Sequence, residues 1–397
     1  MKKLIYRIYQ KIMYGLSYLI PFKEPMLIQG DNTLQKLPAI IKERALKNVM
    51  IVTDDFLKKT PVFKKLVKDL QALHIDTYIY SGTEPNPSIE LILEAYHYYK
   101  ESTCEALIAY GGGSAMDLAK GVGAKVARPN KDIRKLRGTL KIRKKIPFLI
   151  CVPSTVGTGS EATLAAVISD IKTREKYALM DPALMPDVAV LDTDVVASLP
   201  KKLIAETGMD ALTHAIEAYI GHSNTKKTKE KALSAIQIVF NDLLLAYQGD
   251  RDALSRMQLA AYQAGVAFTR AYVGNVHALS HQLSAVYHLP HGYANAVILP
   301  YVLTYYDHHI DKSMAEIYDY LGYQGKISGP EKSNQVIESI LQLKKDLNID
   351  DSFGGLIKKE DEPKIIIQAF KEANPLYPVP QIFEKNDFKA IIRLVNH

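Results

Sequence analysis

The sequence contains, between Glu105 and Lys120, the stretch EALIAYGGGSAMDLAK. Its first half is a short apolar run, which predicts a buried β-strand, and its second half predicts a helix. The three glycines between them permit positive φ angles and a close approach of the backbone to a ligand. Free N–H groups at the helix start can bind a diphosphate, with Ser114 as the helix cap and Asp117 three residues later. Tight turns use the same residues, and the spacing is not G-x-G-x-x-G, so this loop alone does not decide the function.

Strand-like and helix-like segments alternate on both sides of this stretch, from about residue 25 to residue 192. Apolar runs rich in β-branched residues also occur at Val49–Thr53, Asp76–Tyr80, Pro147–Val152 and Val188–Leu191. Helical patterns lie between several of them, at Pro61–Leu73, Ser88–Tyr99 and Ser114–Lys125. Such alternation predicts a parallel sheet covered by helices.

The pattern changes after Leu199 and Pro200. Long helical patterns then follow one another with almost no strand signal, at Leu203–Tyr219, Lys229–Tyr247 and Ala253–Ala271. We therefore expect an α/β domain over residues 25–197 and an all-α domain over residues 198–397, preceded by a separate segment of residues 1–24.

The net charge of +7 is concentrated in two segments of the chain. Residues 1–30 carry a net charge of +4 and residues 128–145 one of +8, so the remainder is net acidic. This distribution argues against a nucleic-acid partner and indicates a solvated surface for residues 128–145. The two cysteines, Cys104 and Cys151, are too few for a disulfide framework or a cysteine-rich metal site. We therefore expect a cytoplasmic protein in which any metal is bound by His, Asp or Glu.

The first 24 residues are basic and contain an amphipathic helical pattern. At 100° per residue, five apolar side chains fall on one stripe: Ile5, Ile8, Ile12, Leu16 and Leu19. Arg7 and Lys11 interrupt the apolar run that a cleaved signal peptide would need, and the uncharged stretch 12–22 is shorter than the about 20 residues that span a bilayer. We expect the stripe to pack on the body of the protein or on a second subunit. Weak contact with a membrane surface is the alternative.

Two further segments support a dinucleotide site. Asp54 follows the strand-like run Val49–Thr53, where a carboxylate can accept a hydrogen bond from a ribose 2′-hydroxyl and thereby favour NAD over NADP. The same residue can instead cap a helical segment that begins near Leu57. The loop Pro153–Glu161 (PSTVGTGSE) combines hydroxyl groups with glycines and can bind phosphate or the nicotinamide amide, although many such loops are simple turns.

The helical half contains a group of histidines and one aspartate at metal-ligand spacing. Asp210 and His214 stand at i and i+4, so both project from one face of a helix. Four histidines then fall within fifteen residues: His277, His281, His288 and His291. Any one of them can be an ordinary core or surface histidine. Together, neutral imidazoles and a carboxylate form a competent site for Fe(II) or Zn(II).

Several of these segments, in this order, resemble the signature segments of the iron-containing, group III alcohol dehydrogenases. They are Glu84–Ser88, Gly111–Lys120, Pro153–Glu161, Gly208–His214, His277–Asn295 and Asn374–Pro380. The resemblance implies a dinucleotide-binding α/β domain followed by a helical metal-binding domain, an architecture like that of dehydroquinate synthase. The helix within residues 1–22 and the very basic run 128–145 are departures from the family pattern.

The resemblance also implies which residues bind the metal and the cofactor. The family's metal ligands fall on Asp210, His214, His277 and His291. His281 matches a histidine that lies near the metal without binding it, and we expect it to relay the alcohol proton as a general base. The cofactor-binding positions fall on Asp54, Asn86, Gly112, Gly113, Ser114, Asp117, Ser154, Thr155, Thr158 and Lys176.

From these residues we expect a metal-dependent alcohol dehydrogenase or aldehyde reductase that uses NAD, contains Fe2+ or Zn2+, acts on a small alcohol or aldehyde and forms a homo-oligomer such as a homodimer. One alternative is a glycerol-type polyol dehydrogenase or a cyclase of the dehydroquinate-synthase type, although a four-ligand set that includes His214 argues against both. The other alternative is a membrane-recruited regulator that binds nucleotide or metal without turnover.

Overall fold

The computed structural model describes residues 1–18, 22–173 and 175–397. The contacts within it divide the chain into two compact units. One unit, called here the α/β unit, ends at Leu199; the other, called the helical unit, joins the N-terminal helix to Pro200–His397. The N-terminal helix therefore belongs with the C-terminal helices rather than forming a body of its own.

The strands all lie in the α/β unit as far as the chain is described. They are β1 (Met26–Gly30), β2 (Asn48–Val52), β3 (Asp76–Tyr80), β4 (Ala106–Gly111), β5 (Gly138–Thr139), β6 (Phe148–Pro153), β7 (Ala165–Asp170), β8 (Glu175–Met180) and β9 (Val188–Asp192). Six of them form a parallel sheet in the order β1-β9-β6-β4-β2-β3. The other three form a small sheet in the order β5-β8-β7, in which β7 and β8 are antiparallel.

The helices of the described residues run through both units. They are α1 (Lys2–Ser17), α2 (Leu37–Lys42), α3 (Pro61–Ala72), α4 (Ile89–Glu101), α5 (Gly113–Ala127), α6 (Thr193–Val196), α7 (Lys201–Ile220), α8 (Lys226–Gln248), α9 (Arg251–Ala271), α10 (Asn275–Tyr287), α11 (His291–Tyr306), α12 (Asp311–Tyr320), α13 (Gly329–Asp346), α14 (Glu362–Ala373) and α15 (Lys385–Val395). The α/β unit contains α2 to α6, and the helical unit contains α1 and α7 to α15. The predicted fold class is thus confirmed.

The large sheet is buried on both faces, as is usual for a parallel sheet. Every residue of the central strand β4 is buried. Its side chains alternate between two cores: Leu107 belongs to the cluster that contains Met116 of α5, and Ile108 to the cluster that contains Phe63 of α3. Helix starts are fixed by local hydrogen bonds, as where the Ser88 hydroxyl accepts from the backbone N–H of Leu91 at the start of α4.

The N-terminal helix does not pack its apolar stripe on the body of the protein. Ile5, Ile8, Ile12 and Leu16 are all exposed, whereas the polar Gln10 is buried. The fifth member of the stripe, Leu19, lies outside the described residues. The expectation that the stripe packs on the body of the protein is therefore wrong, because hydrogen bonds from the polar side of the helix decide its orientation. Its packing on a second subunit, the other part of that expectation, stays a prediction. No helix among the described residues is long and apolar enough to cross a membrane.

The basic run 128–145 is an ordered surface segment in which several positive charges are paired. The guanidinium of Arg134 makes two hydrogen bonds to the buried carboxylate of Asp170, at 2.7 and 3.1 Å. Arg137 binds Glu175 at 2.8 Å and lies over the ring of Tyr177. These pairs join the run to β7 and β8, which reduces its capacity to attract a distant anion.

Candidate metal centre and cofactor loops

Four side chains of the helical unit converge within metal-binding distance of one another. They are Asp210, His214, His277 and His291, and one potential ligand atom from each lies within 4.8 Å of all the others. Oδ1 of Asp210 is 3.8 Å from Nε2 of His277 and 3.7 Å from Nε2 of His291. Asp210, His214 and His277 are buried, while His291 is about 29% exposed, so the group opens to solvent on the side of His291.

Three helices bring these side chains together. Helix α7 carries Asp210 and His214 one turn apart, α10 carries His277 near its start, and α11 begins at His291. The close approach of α11 to α7 requires Gly292, because a Cβ atom there would lie 2.2 Å from the backbone oxygen of Glu206. The packing of three helices therefore brings the four residues together, and they do not form a single local sequence motif.

A carboxylate that the sequence analysis did not single out fixes the ring of His277. Glu217 is buried, and its Oε2 lies 2.6 Å from Nδ1 of His277. The same carboxylate accepts hydrogen bonds from the backbone N–H groups of Gly274 at 2.7 Å and Val276 at 2.8 Å. With Nδ1 engaged, Nε2 of His277 faces the group of four, the arrangement that carboxylates commonly impose on metal-binding histidines. The available signal was spacing, since Glu217 follows Asp210 by seven residues on the same helix face.

The amide nitrogen of Asn295 contacts three of the four side chains. Its Nδ2 lies 2.7 Å from Oδ1 of Asp210 and 3.1 Å from Nε2 of both His277 and His291. One carboxylate and three imidazoles that converge in a largely buried place form a donor set that divalent cations use, and this set fits Fe2+ or Zn2+.

His281 lies beside this group but outside it. Its ring stacks on that of His291 with centroids 4.9 Å apart, and its Nδ1 lies 2.5 Å from Oε1 of Glu372 on α14. Glu372 also accepts hydrogen bonds from Gln282 at 2.7 Å and from the Tyr377 hydroxyl at 2.9 Å. His281 is partly exposed, so it connects the buried group to solvent. His288, in contrast, is exposed at the end of α10 and is not brought to the group.

The predicted cofactor loops meet at one edge of the large sheet. Gly111 at the end of β4 pairs in register with Pro153 at the end of β6, so the two loops leave the sheet side by side. A Cβ atom on Gly113 would lie 3.2 Å from Thr158, and one on Gly112 would lie 3.3 Å from Thr155. The carboxyl edge of a parallel sheet is the usual location of ligands in such folds.

The glycine loop differs from the expectation in two respects. Gly112, and not Ser114, is the cap residue of α5, and Ser114 accepts a hydrogen bond from the backbone N–H of Asn86 instead. Among the glycines with positive φ, none belongs to Gly111–Gly113. Close packing favours glycine there rather than the backbone angles, since a Cβ atom would lie tightly against Thr155 or Thr158 at Gly112 and Gly113 and 2.7 Å from the Cβ atom of Ala115 at Gly111.

The other predicted cofactor residues of this unit also lie around the loop. Lys176 donates a hydrogen bond to Oδ1 of Asn86 at 2.7 Å. The backbone N–H of Ser154 donates to the carbonyl of Gly111 at 3.0 Å. Thr155 Oγ1 is buried and makes no hydrogen bond to the described residues, so it is available to a ligand. The structure therefore brings Asn86, Ser114 and Lys176 together, next to the paired loops.

Asp54 caps a turn, as the structural alternative predicted. Its Oδ1 accepts hydrogen bonds from the backbone N–H groups of Phe56 and Leu57, both at 2.8 Å. Its Oδ2 makes no hydrogen bond to the described residues and is available to a hydroxyl group. The two roles considered for Asp54 are thus compatible, because they use different oxygens.

Behind the loops, Asp117 lies in a buried charged cluster with Lys120 and Glu161, to which the sequence analysis assigned no role. The ammonium of Lys120 donates to oxygens of Ser160, Thr163 and Ala165, at 2.7 to 3.1 Å. Nearby, burial raises the pKa of Glu161 to about 7, and desolvation raises that of Asp117 to about 6. Lys120 thereby fixes the far end of the second loop, and the Ser160 hydroxyl connects it to Asp117 at 3.2 Å.

Comparison with known proteins identifies the family. The family model described as iron-containing alcohol dehydrogenase matches residues 25–193, and the C-terminal model of the same family matches residues 204–395. The chain belongs to the iron-containing alcohol dehydrogenase family. It is therefore an alcohol dehydrogenase or aldehyde reductase of a family whose cofactors are NAD(H) and iron.

Individual members of the family are similar over most of their length. An NADPH-dependent butanol dehydrogenase of Clostridium saccharobutylicum is 35% identical over 322 residues, which cover 80% of this chain and 81% of that protein. An NAD-dependent methanol dehydrogenase of Bacillus methanolicus is 30% identical, with coverage of 94% and 98%. The solved structure of an alcohol dehydrogenase from Oenococcus oeni is 31% identical and superimposes with a TM-score of 0.90 over 94% of this chain and 99% of that one.

Proposed function

We propose that this alcohol dehydrogenase transfers hydride between NAD(H) and a small alcohol or aldehyde, with Fe2+ or Zn2+ bound by Asp210, His214, His277 and His291. The observation that carries the proposal is the convergence of these four side chains, with one potential ligand atom from each within 4.8 Å of all the others. A divalent ion bound there supplies Lewis acidity toward the substrate oxygen, while the nicotinamide accepts or donates the hydride.

The residues around the four ligands keep them in one orientation. Glu217 holds Nδ1 of His277, so that Nε2 is directed to the group. The Asn295 amide donates to Oδ1 of Asp210, which restrains the carboxylate. Restraint of this kind lowers the entropy that the ligands lose when they bind an ion, and it favours a single coordination geometry.

His281 is the proposed proton carrier. Its ring stacks on His291 at the solvent side of the group, and its Nδ1 is held by Glu372. With one ring nitrogen engaged by a carboxylate, the other can accept the proton that an alcohol releases and pass it to water. Reduction of an aldehyde would use the same path in the opposite direction.

The diphosphate of the cofactor is proposed to lie at the start of α5. Gly112 and Gly113 present backbone N–H groups there without a side chain, and Ser114 and Thr155 add hydroxyl groups. The start of a helix carries partial positive charge, which favours an anion. Asn86, Ser154, Thr158 and Lys176 complete the proposed contacts, and Asp117 supports the loop from behind.

NAD is the proposed cofactor rather than NADP. The relatives do not decide this point, because one is NADPH-dependent and another is NAD-dependent. The support comes from Asp54, whose Oδ2 can accept a hydrogen bond from a ribose 2′-hydroxyl and would repel a 2′-phosphate. The arginines of the run 128–145 are in part already paired with Asp170 and Glu175.

A homodimer in the cytoplasm is proposed as well. Strand β1 forms one edge of the large sheet, and its residues Met26 and Leu27 are exposed. Exposed apolar edge strands are usually covered, and a second copy of the chain is a suitable cover. Both cysteines are free and buried, which agrees with a reducing compartment.

The decisive experiment is steady-state NADH absorbance with a panel of primary alcohols and aldehydes, on protein loaded with Fe2+ or Zn2+ and on protein stripped by a chelator. We expect turnover that requires metal and reverses with substrate. Turnover restricted to glycerol-type polyols would favour the polyol dehydrogenases. Binding of NAD and metal without any turnover would favour a regulator.

A further inference from the structure

Helix α1 is attached to the helical unit through its polar side. The guanidinium of Arg7 donates hydrogen bonds to the backbone oxygens of Val379 at 2.6 Å and Pro380 at 2.7 Å. Gln10, which is only 6% exposed, donates to the backbone oxygens of Pro375 at 3.1 Å and Tyr377 at 2.8 Å. These four bonds recognise an irregular segment of the chain by its carbonyl groups.

Both ends of the helix are held as well. The Tyr14 hydroxyl donates to the backbone oxygen of Asn224 at 2.9 Å, and Lys3 lies 3.7 Å from the carboxylate of Glu384. Arg7, Gln10 and Tyr14 fall on one face of the helix at 100° per residue. The orientation of α1 is therefore specified along its length.

As a result, the apolar face of α1 is directed away from the helical unit. Five large apolar side chains lie on this face, each between 48% and 65% exposed: Leu4, Ile5, Ile8, Ile12 and Leu16. A contiguous exposed apolar surface of this kind is unusual in a soluble monomer and typically marks a binding surface. We call these five side chains the outer stripe.

The outer stripe has basic borders. At 100° per residue Lys11 falls next to Leu4 on one side and Lys2 next to Leu16 on the other. Residues 1–18 contain no Asp or Glu. Further positive charge lies next to the C-terminal end of the helix, where the Arg270 guanidinium is 4.5 Å from the ring centre of Tyr18.

We propose that α1 is a membrane-surface anchor, which lies flat on an anionic lipid bilayer with its outer stripe among the acyl chains and Lys2 and Lys11 at the headgroups. An apolar face flanked by lysines without acidic residues is complementary to such a surface. A second copy of the chain is the less suitable partner, because symmetric contact through α1 would bring the lysines of both copies together with no acidic side chain on the helix to pair them.

The attachment of α1 through Arg7 and Gln10 determines how the outer stripe can bind a membrane. It leaves the apolar face available without any unfolding of the helix, so binding requires no conformational change in the enzyme. The anchor thus places a dehydrogenase at a lipid surface, where aldehydes and alcohols with apolar tails concentrate. This consequence rests on the proposed function, whereas lipid binding itself does not.

The test uses the full chain and a fluorescent reporter. The sequence contains no Trp, so Leu16→Trp introduces a single fluorophore into the outer stripe. Vesicles of phosphatidylcholine alone are compared with vesicles that also contain phosphatidylglycerol. We expect a blue shift of the emission and flotation of the protein with the anionic vesicles, both weakened by high salt.

Two variants and a matched control separate the contributions. Combined Ile8→Asp and Ile12→Asp should weaken vesicle binding by about 100-fold or more, since two apolar contacts are replaced by charges that anionic lipids repel. Combined Lys2→Gln and Lys11→Gln should weaken it roughly tenfold or more. Ile171→Asp changes an equally exposed isoleucine, 63% exposed in the α/β unit, and should have no effect. All three proteins should keep their turnover with soluble substrates.

Three outcomes would overturn the proposal. The first is no binding to anionic vesicles even at low salt. The second is binding that the two aspartates do not change. The third is a concentration-dependent association of the protein in the absence of lipid that the two aspartates abolish, which would show that a second copy covers the outer stripe. The turnover assay is independent of all three, so failure of the anchor and failure of the proposed function can be told apart.

Discussion

The carboxylate of Glu217 lies 2.6 Å from Nδ1 of His277 and accepts hydrogen bonds from two backbone N–H groups at the start of α10, those of Gly274 and Val276. One side chain of α7 thus sets both the path of the chain into α10 and the orientation of the imidazole. Gly274 is required at the start of α10, because a Cβ atom there would lie 2.6 Å from Oε1 of Glu217. The relationship couples the fold of the helical unit to the geometry of its candidate metal site.

Glu217→Gln should therefore weaken metal binding without preventing folding. The amide can keep one acceptor for these N–H groups but loses the charge that holds His277, and such changes typically cost 10- to 100-fold in affinity. Competition with a chelator measures the affinity. Glu316→Gln, which changes a carboxylate bound to the Tyr219 hydroxyl, is the control and should keep the affinity of the unmodified protein. Equal affinities in both variants would contradict the orienting role of Glu217.

Single alanine substitutions of His277, His291 and His214 should each remove most of the bound metal and nearly all activity. Each removes one nitrogen ligand from a set in which four atoms converge. Elemental analysis after gel filtration gives the metal content, and His308→Ala, at an exposed histidine, should retain it. Stoichiometric metal in the His277 and His291 variants would refute the site. A fully active His214 variant would indicate a three-ligand site.

His281→Ala should keep its metal and lose turnover by about 100-fold, because proton transfer to solvent loses its carrier. Added imidazole should restore part of the rate, since a small base can enter the space left by the side chain. Glu372→Gln should show a smaller loss, because it only positions the ring. Loss of metal together with rate in the His281 variant would make this residue a ligand instead.

Strand and helix periodicity predicted five of the six strands of the central sheet and the long helices of the second unit, and it missed β1, β5, β7 and β8. The run Ala106–Tyr110 is apolar because β4 is buried on both sides, and it was found. Strand β1 lies at the sheet edge and has no fully buried residue, β5 has two residues, and β7 and β8 are buried only at alternate positions in a small sheet.

Residue types and helical spacing indicated a metal site that involves Asp210 and several histidines, and the family resemblance then implied which four residues are the ligands. Spacing alone placed Glu217 on the same helix face as Asp210 without indicating its partner, and nothing indicated Glu372, since each carboxylate contacts a histidine that lies 60 or more positions away in the chain. The sequence could not predict the orientation of α1 either. The acceptors for Arg7 are backbone oxygens of Val379 and Pro380, and no side-chain pattern indicates them.

The buried carboxyl of Glu161 should make the stability of the α/β unit depend on pH. Burial raises its pKa from 4.5 to about 7, so between these values the folded chain holds a proton that the unfolded chain has lost. This contribution is fully present below pH 4.5 and is lost as the pH rises through about 7. Between pH 5 and 8 the unfolding temperature should fall roughly 5 °C further in the unmodified protein than in Glu161→Gln. Glu101→Gln, at an exposed carboxyl, is the control, and identical slopes for all three proteins would exclude an ionising Glu161.

The preference of the enzyme for NADH over NADPH should depend on Oδ2 of Asp54, the carboxylate oxygen that does not cap the turn. Because Oδ1 already accepts from Phe56 and Leu57, Asp54→Asn keeps the cap with its amide oxygen and removes only the charge. We expect the unmodified enzyme to show a higher kcat/KM with NADH than with NADPH, and the asparagine variant to shift this ratio toward NADPH by on the order of tenfold. Asp54→Gly should shift this ratio similarly but also lower the unfolding temperature, since the cap is lost.

Asp55→Asn is the control for a general loss of charge, because Asp55 is the neighbouring and more exposed carboxylate that pairs with Lys58, and this variant should leave the ratio unchanged. A preference for NADPH in the unmodified protein would remove Asp54 from the cofactor site, whereas an unchanged ratio in both Asp54 variants would leave the residue with its capping role only.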